Sequence, residues 1–163
     1  MVYFPFSSLK QKPSEERFIL TGLMNNLFSQ GSGGYDYMEW TSNATPSASI
    51  PLLTMPVNCK LIRITCNYLG LTSLVFDPGE SWAVKCVVVP ENQSGTITNS
   101  QDRGDELFRW DSDHNNTYPS TSVDCDVDFT VGERVGIVGV ETGTALPENT
   151  AEAQVCLVFK YTW

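Results

Sequence analysis

The chain has 163 residues, 41% of them apolar and 18% charged, with a formal charge of −9. That is long enough for one packed domain with an appendage, and the apolar fraction argues against a wholly disordered chain. Residues 1–60 carry four Lys/Arg against four Asp/Glu and residues 61–163 six against fifteen, so the acid excess lies after residue 60 and disfavours nucleic-acid phosphates and anionic lipid as direct partners.

Residues 1–12 mix aromatic side chains with Pro5, Lys10 and Lys12, the composition of an extended arm with apolar anchors at Tyr3, Phe4, Phe6 and Leu9. Met1 to Leu9 lacks the basic start and long apolar run of a secretory signal, and no stretch reaches the roughly 18 consecutive apolar residues of a membrane span. Synthesis in a reducing cytoplasm is therefore the expectation. Pro13-Ser14-Glu15-Glu16 has the form of a helix start, with Ser14 as cap and Ile19, Leu23 and Leu27 following at helical spacing. A strand from Arg17 to Met24 fits equally well, because Gly22 weakens the helix. Both alternatives stand for this stretch. Phe18, Ile19 and Leu20 add to the apolar surface of the arm, more than a free tail tolerates, so it must bury itself on its own body or on a partner. Gly31-Ser32-Gly33-Gly34 has almost no side chains to pack, and the boundary is drawn there: an N-terminal arm over 1–34 and a body over 35–163.

Within the body, Tyr35–Trp40 is an aromatic-rich strand and Thr41–Ser49 a loop. Strand patterns follow at Ile50–Met55, Cys59–Tyr68, Ser81–Val89, Glu106–Trp110, Ser122–Phe129, Arg134–Val140 and Ala153–Trp163. Turns are expected at Asp77-Pro78-Gly79, Pro90-Glu91-Asn92, Gly132-Glu133 and Thr142-Gly143, and long loops over Glu91–Asp105 and Asp111–Ser120. Short strands separated by turns, with almost no helix, read as an all-β fold, a jelly-roll β-sandwich carrying an N-terminal arm. In the final strand Val155, Leu157, Phe159, Tyr161 and Trp163 share one face while Cys156 and Val158 lie on the other. A strand apolar on both sides fits burial against the core on one and a subunit on the other, so Tyr161 and Trp163 are candidates for a subunit interface, with ordinary core packing as the competing reading.

No residue set announces chemistry. Cys66, Cys86 and Cys125 fall on the apolar side of their strands and read as small buried hydrophobes. The single histidine, His114, lies among turn formers, which leaves no cysteine–histidine nucleophile pair and no zinc ligand set. Asp111-Ser112-Asp113-His114-Asn115 begins like a calcium loop, but the sixth position is Asn116 and the twelfth Ser122, where such a loop needs Gly and a carboxylate. Asp124, Asp126 and Asp128 alternate with Val123, Cys125 and Val127 and read as a solvated outer face. Neither a metal, a cofactor nor an enzymatic activity is expected.

Asp128-Phe129-Thr130-Val131-Gly132-Glu133-Arg134-Val135-Gly136-Ile137, followed by Glu152-Ala153-Gln154-Val155-Cys156-Leu157-Val158-Phe159-Lys160-Tyr161, resembles the closing strands of tumour-necrosis-factor-like jelly rolls on virion proteins of tailed bacteriophages. The resemblance covers about half of the chain and leaves the first 34 residues unmatched. It implies a homotrimeric structural virion protein, a capsid decoration or cement protein that binds the outer surface of a phage head, with the major capsid protein as partner. The alternative is a fibre tip or receptor-binding module reading host surface glycan through its polar loops, around Trp110, Asp113 and Tyr118.

Overall fold

The computed structural model describes residues 16–27, 35–39, 50, 52–143 and 151–162. They form ten strands: β1 Arg17–Leu27, β2 Tyr35–Glu39, β3 Leu53–Thr54, β4 Cys59–Tyr68, β5 Ser81–Val89, β6 Gln101–Asp102, β7 Phe108–Asp111, β8 Ser120–Phe129, β9 Arg134–Thr142 and β10 Ala151–Tyr161. The only helical turns among the described residues are two 3-10 turns, Ile97–Asn99 and Ser112–His114.

All pairings are antiparallel. One sheet runs β1–β10–β4–β8, and the other is built of β2, β9 and β5, with β6 and β7 on β5 and β3 on β9. β2 serves both: Tyr35–Tyr37 pair with β9, and Met38 and Glu39 pair with β1. The pairs β1·β10, β2·β9, β4·β8 and β5·β7 nest like the two arms of one long hairpin, and β10·β4 and β9·β5 close it into a roll. That connectivity is the jelly roll.

Burial follows the period of two. β4 alternates inward Cys59, Leu61, Ile64, Cys66 and Tyr68 with outward Lys60, Arg63, Thr65 and Asn67, and a bulge at Ile62 shifts its register against both neighbours. β5 is buried on nearly every residue. Its Trp82, Val84 and Cys86 enter the main core, and Val87 and Val89 pack under Ile50, Leu52 and Val138 on the far side. Ile50 is pinned there by its N–H on the Gly95 carbonyl (2.5 Å). Arg134, at the start of β9, donates through Nη1 to the carbonyls of Pro90, Glu91 and Gln93 (2.9–3.2 Å) and ties down the loop after β5.

The strands lie where the period-two pattern puts them, with β8 and β10 starting and β9 ending two residues beyond the expected bounds and with the following further differences. Of Ile50–Met55, only Leu53–Thr54 pairs as a strand. β7 begins at Phe108, two residues later than expected, and ends at Asp111. β6 arises within the loop Glu91–Asp105. Of the two readings for the stretch after Pro13, the strand is the one realised. Residues 17–27 of the 1–34 segment are β1, held to β10 over nine register positions, with Phe18 stacked on Phe159 (4.8 Å, 6°). The cap-like Ser14-Glu15-Glu16 signal is local, and a full antiparallel ladder with inward Phe18, Leu20 and Met24 outweighs it. The anchors Tyr3, Phe4, Phe6 and Leu9, the Gly31–Gly34 hinge and Trp163 lie outside the described residues.

The five cysteines are free thiols. Burial pushes the Cys59 thiol up to about 11 and raises those of Cys66, Cys86 and Cys125. Since the thiolate is the reactive form, iodoacetamide at pH 8 is expected to label Cys156, half-buried on the outward side of β10, first and Cys125 more slowly. Cys59, Cys66 and Cys86 should be labelled only on unfolding. Peptide mass spectrometry after timed alkylation measures this, and rapid native labelling of Cys66 or Cys86 contradicts the packing.

Candidate functional site

Two surfaces stand out on this scaffold. The first is the end of the roll where β4 runs out and β8 begins. There the loop 69–80 and the loop 112–119 are laced together: Leu74 N–H donates to the Thr117 carbonyl (3.0 Å), and Asn116 N–H donates to the Leu74 carbonyl (2.8 Å). Asn115 reads the Phe76 backbone twice, Oδ1 accepting from its N–H (2.6 Å) and Nδ2 donating to its carbonyl (2.9 Å). Asn116 takes the left-handed backbone (φ 59°) that this crossing requires. Two loops with this many mutual bonds form a preset surface.

That surface is apolar. Leu71 is 83% exposed, Tyr118 58%, Val75 51% and Leu69 48%, and the Tyr118 hydroxyl donates to the Leu71 carbonyl (3.4 Å), which places those two side by side. Leu74 and Phe76, the alternate residues of the same loop, point into the core. Tyr118 leans on Tyr68 (6.2 Å), and Tyr68 meets Trp110 edge-on (6.2 Å, 88°). This aromatic layer joins the tip to the core.

Of the glycan-loop candidates, Trp110 is a correction. It is fully buried in β7, stacked on Trp82 (5.0 Å), with its indole N–H on Thr121 Oγ1 (2.8 Å). A residue that ends a short strand can face the core as readily as a loop; here the pairing of Trp110 with Trp82 on β5 places it inward. Tyr118 and Asp113 are exposed. Asp113 belongs to the 3-10 turn Ser112–His114, closed by a capping box in which Asp111 accepts from Asp113 N–H (3.1 Å) and His114 Nδ1 accepts from Asp111 N–H (3.3 Å). Of the oxygens that resembled a calcium loop, Asp111 Oδ1 caps its own turn and Asn115 Oδ1 accepts from Phe76 N–H. Among the described residues no three His, Cys, Asp or Glu side chains converge as metal ligands.

The second surface is the outer face of the β1–β10–β4–β8 sheet. The three aspartates of β8 are solvated, as their alternation indicates, but each has a cation across the strand gap. Arg63 Nη2 lies 2.7 Å from Asp124, Lys60 pairs with Asp126, and Lys60 is 3.5 Å from Asp128. Asp124, Asp126 and Asp128 also put charge on an edge strand, which discourages sheet-to-sheet pairing there. Next to this network, Ile19 is 62% exposed and shares a groove with Ile62, Val158, Arg17, Arg63 and Asp124. Of the arm candidates, Ile19 and Phe18 both line this groove, Phe18 also packing against the core as Leu20 does. Tyr161 is half-buried against Phe18 (5.3 Å) at the end of β10.

Sequence reasoning missed the apolar tip, since Leu69, Leu71 and Val75 stand in a loop without periodicity. The proximity of Leu71 and Val75 to Pro78-Gly79 turn signals was the one available cue.

No family model matches the chain, and no curated protein matches it. Among solved structures, a chain of the Gt strain of infectious bursal disease virus is similar at TM-score 0.38 and 8% identity, over 91% of this chain and 33% of that one. The VP2 subviral particle of the same virus is similar at TM-score 0.34 and 6% identity, over 92% and 38%. CBM86, a low-affinity xylan-binding module from the gut symbiont Roseburia intestinalis, is similar at TM-score 0.30 and 14% identity, over 90% and 96%. This chain therefore spans about a third of the length of the viral chains it resembles.

Proposed function

We propose that this jelly roll is a structural virion protein that decorates the outer shell of a phage head as a homotrimer and works by making contacts. The observation that carries this reading is the apolar tip: Leu69, Leu71, Val75 and Tyr118 are each exposed on two loops locked to each other and to the core, with Leu71 and Tyr118 side by side. Large apolar side chains on a preset surface mark a place where another macromolecule sits. In this reading the tip meets the major capsid protein. Three-fold repetition of a modest contact raises its avidity without any new interaction, and the acid excess keeps the protein soluble at high copy number.

A second reading draws on Tyr118 and Asp113, an exposed ring and an exposed carboxylate on neighbouring turns, which is chemistry suited to a sugar. Rebinding the purified chain to heads stripped of it separates the two. Decoration predicts saturation at hundreds of copies per particle, and the double substitution Leu71→Asp with Tyr118→Ala is expected to weaken rebinding about 30-fold, the size of a hot-spot loss, with the thermal midpoint unchanged. A wild-type affinity in the double variant removes the tip from the contact. Binding to host surface polysaccharide that Tyr118→Ala abolishes and Leu71→Asp leaves intact establishes the glycan reading instead.

A further inference from the structure

We infer that the groove on the outer face of the β1–β10–β4–β8 sheet, floored by Ile19, Ile62 and Val158, receives the N-terminal segment of a second copy of this chain. This rests on the self-association in the reading above and names its two partners.

The groove is apolar at its floor and charged at its rim, where Arg17, Arg63 and Asp124 stand. Among the strand side chains whose burial is described, Ile19 is the most exposed large apolar one, which is costly on a sheet face unless something covers it. The covering segment is supplied by the chain. Fifteen residues precede Glu16, and Glu16 is anchored beside the groove by its carbonyl on Tyr161 N–H (3.2 Å). Read as an extended strand, that segment puts Val2, Phe4 and Phe6 on one face, followed on the same face by Lys10 and Lys12. Apolar groups for the floor are thus followed by cations for Asp124, Asp126 and Asp128, whose side chains are 71–81% exposed beyond Arg63 and Lys60.

Length assigns the segment to a neighbouring copy. The groove floor starts at Ile19, three residues inside Glu16, whereas the aromatic anchors are separated from Glu16 by the polar run Lys10–Glu15. Fully extended, the six residues Lys10–Glu15 reach about 20 Å, while the four strands of the sheet are only about 14 Å across at 4.8 Å per step. A spacer of that length is superfluous for folding back onto its own strand and is suited to crossing between subunits. Exchange of such segments around a ring links each copy to the next.

The test is trans-complementation of full-length chains, read as solution mass by light scattering. One variant is blocked in the segment, Phe4→Asp with Phe6→Asp. The other is blocked in the groove, Ile19→Glu, with Ile19→Thr as a milder change that retains a β-branched side chain; melting curves confirm that each is folded. Wild type is expected to be oligomeric and each blocked variant monomeric. Their equimolar mixture should recover a species of twice the monomer mass, since the intact segment of the second fits the intact groove of the first. If wild type is oligomeric and the variants keep that mass, or the mixture stays monomeric, the groove is not the receptor and self-association has another basis. A monomeric wild type overturns the inference together with the trimer, and rebinding to stripped heads by that monomer leaves decoration standing without either.

Discussion

Replacing Trp110 by Ala is expected to lower folding stability by about 3–5 kcal/mol, the usual cost of truncating a fully buried tryptophan. The ring is enclosed by Trp82 (5.0 Å), Phe108 (5.5 Å) and Tyr68 (6.2 Å), so little of the vacated space can be refilled. For a chain of this size the thermal midpoint should fall by roughly 6–20 °C. Trp110→Phe separates packing from hydrogen bonding. It retains most of the ring volume and removes the donor to Thr121 Oγ1, a half-exposed hydroxyl that water can reach, so its cost should be only about 1–2 kcal/mol. Denaturant titration of the three proteins checks both values. The same variants bear on function, because Trp110 supports Tyr68 and Tyr68 supports Tyr118. Trp110→Ala melting like wild type would show that this aromatic stack does not hold the tip.

Gly139→Val should be comparably damaging for the opposite reason. A Cβ at Gly139 would lie 2.5 Å from Trp82 Nε1 and 2.6–2.7 Å from two further ring atoms, and the ring cannot retreat because Trp110 and Phe108 stand behind it. Two effects compete in Gly139→Ala. Replacing glycine in a strand gains roughly 0.5–1 kcal/mol of backbone entropy, but overpacking a full core costs about 1–3 kcal/mol, and with a rigid indole in the way the second wins. For Val the loss should reach about 3 kcal/mol or more. Gly136 provides the comparison: its added Cβ meets the Ile50 Cγ2 methyl at 2.4 Å, and although the Ile50 backbone is held by Gly95, its aliphatic side chain can turn to another rotamer where a stacked indole cannot. Gly136→Ala should therefore be clearly milder than Gly139→Ala in the same denaturant series, and equal costs would mean that β9 is constrained by its backbone.

These two glycines also show what a sequence can and cannot say. Gly136 and Gly139 are visible as interruptions of a strand pattern, yet the reason for each is a residue far away in the chain, Ile50 for one and Trp82 for the other. The aspartates of β8 are a similar case. Their alternation marks them as an outer face, but Lys60 and Arg63, some sixty residues earlier, become their partners only through the β4·β8 register. Trp110 reads as a loop-side aromatic from its neighbours Asp111 and Asp113, and its pairing with Trp82 turns it inward.

By itself the sequence determined the class of the fold, most strand positions and which side of each strand is wet, because a two-residue period is written in consecutive side chains and needs no partner to be seen. The tertiary structure decided the roll connectivity, the role of residues 17–27 as β1, the cross-strand ion pairs and the apolar tip. Each of those depends on which segments become neighbours, and strand pairing is a long-range choice made by the whole set of faces seeking cover at once.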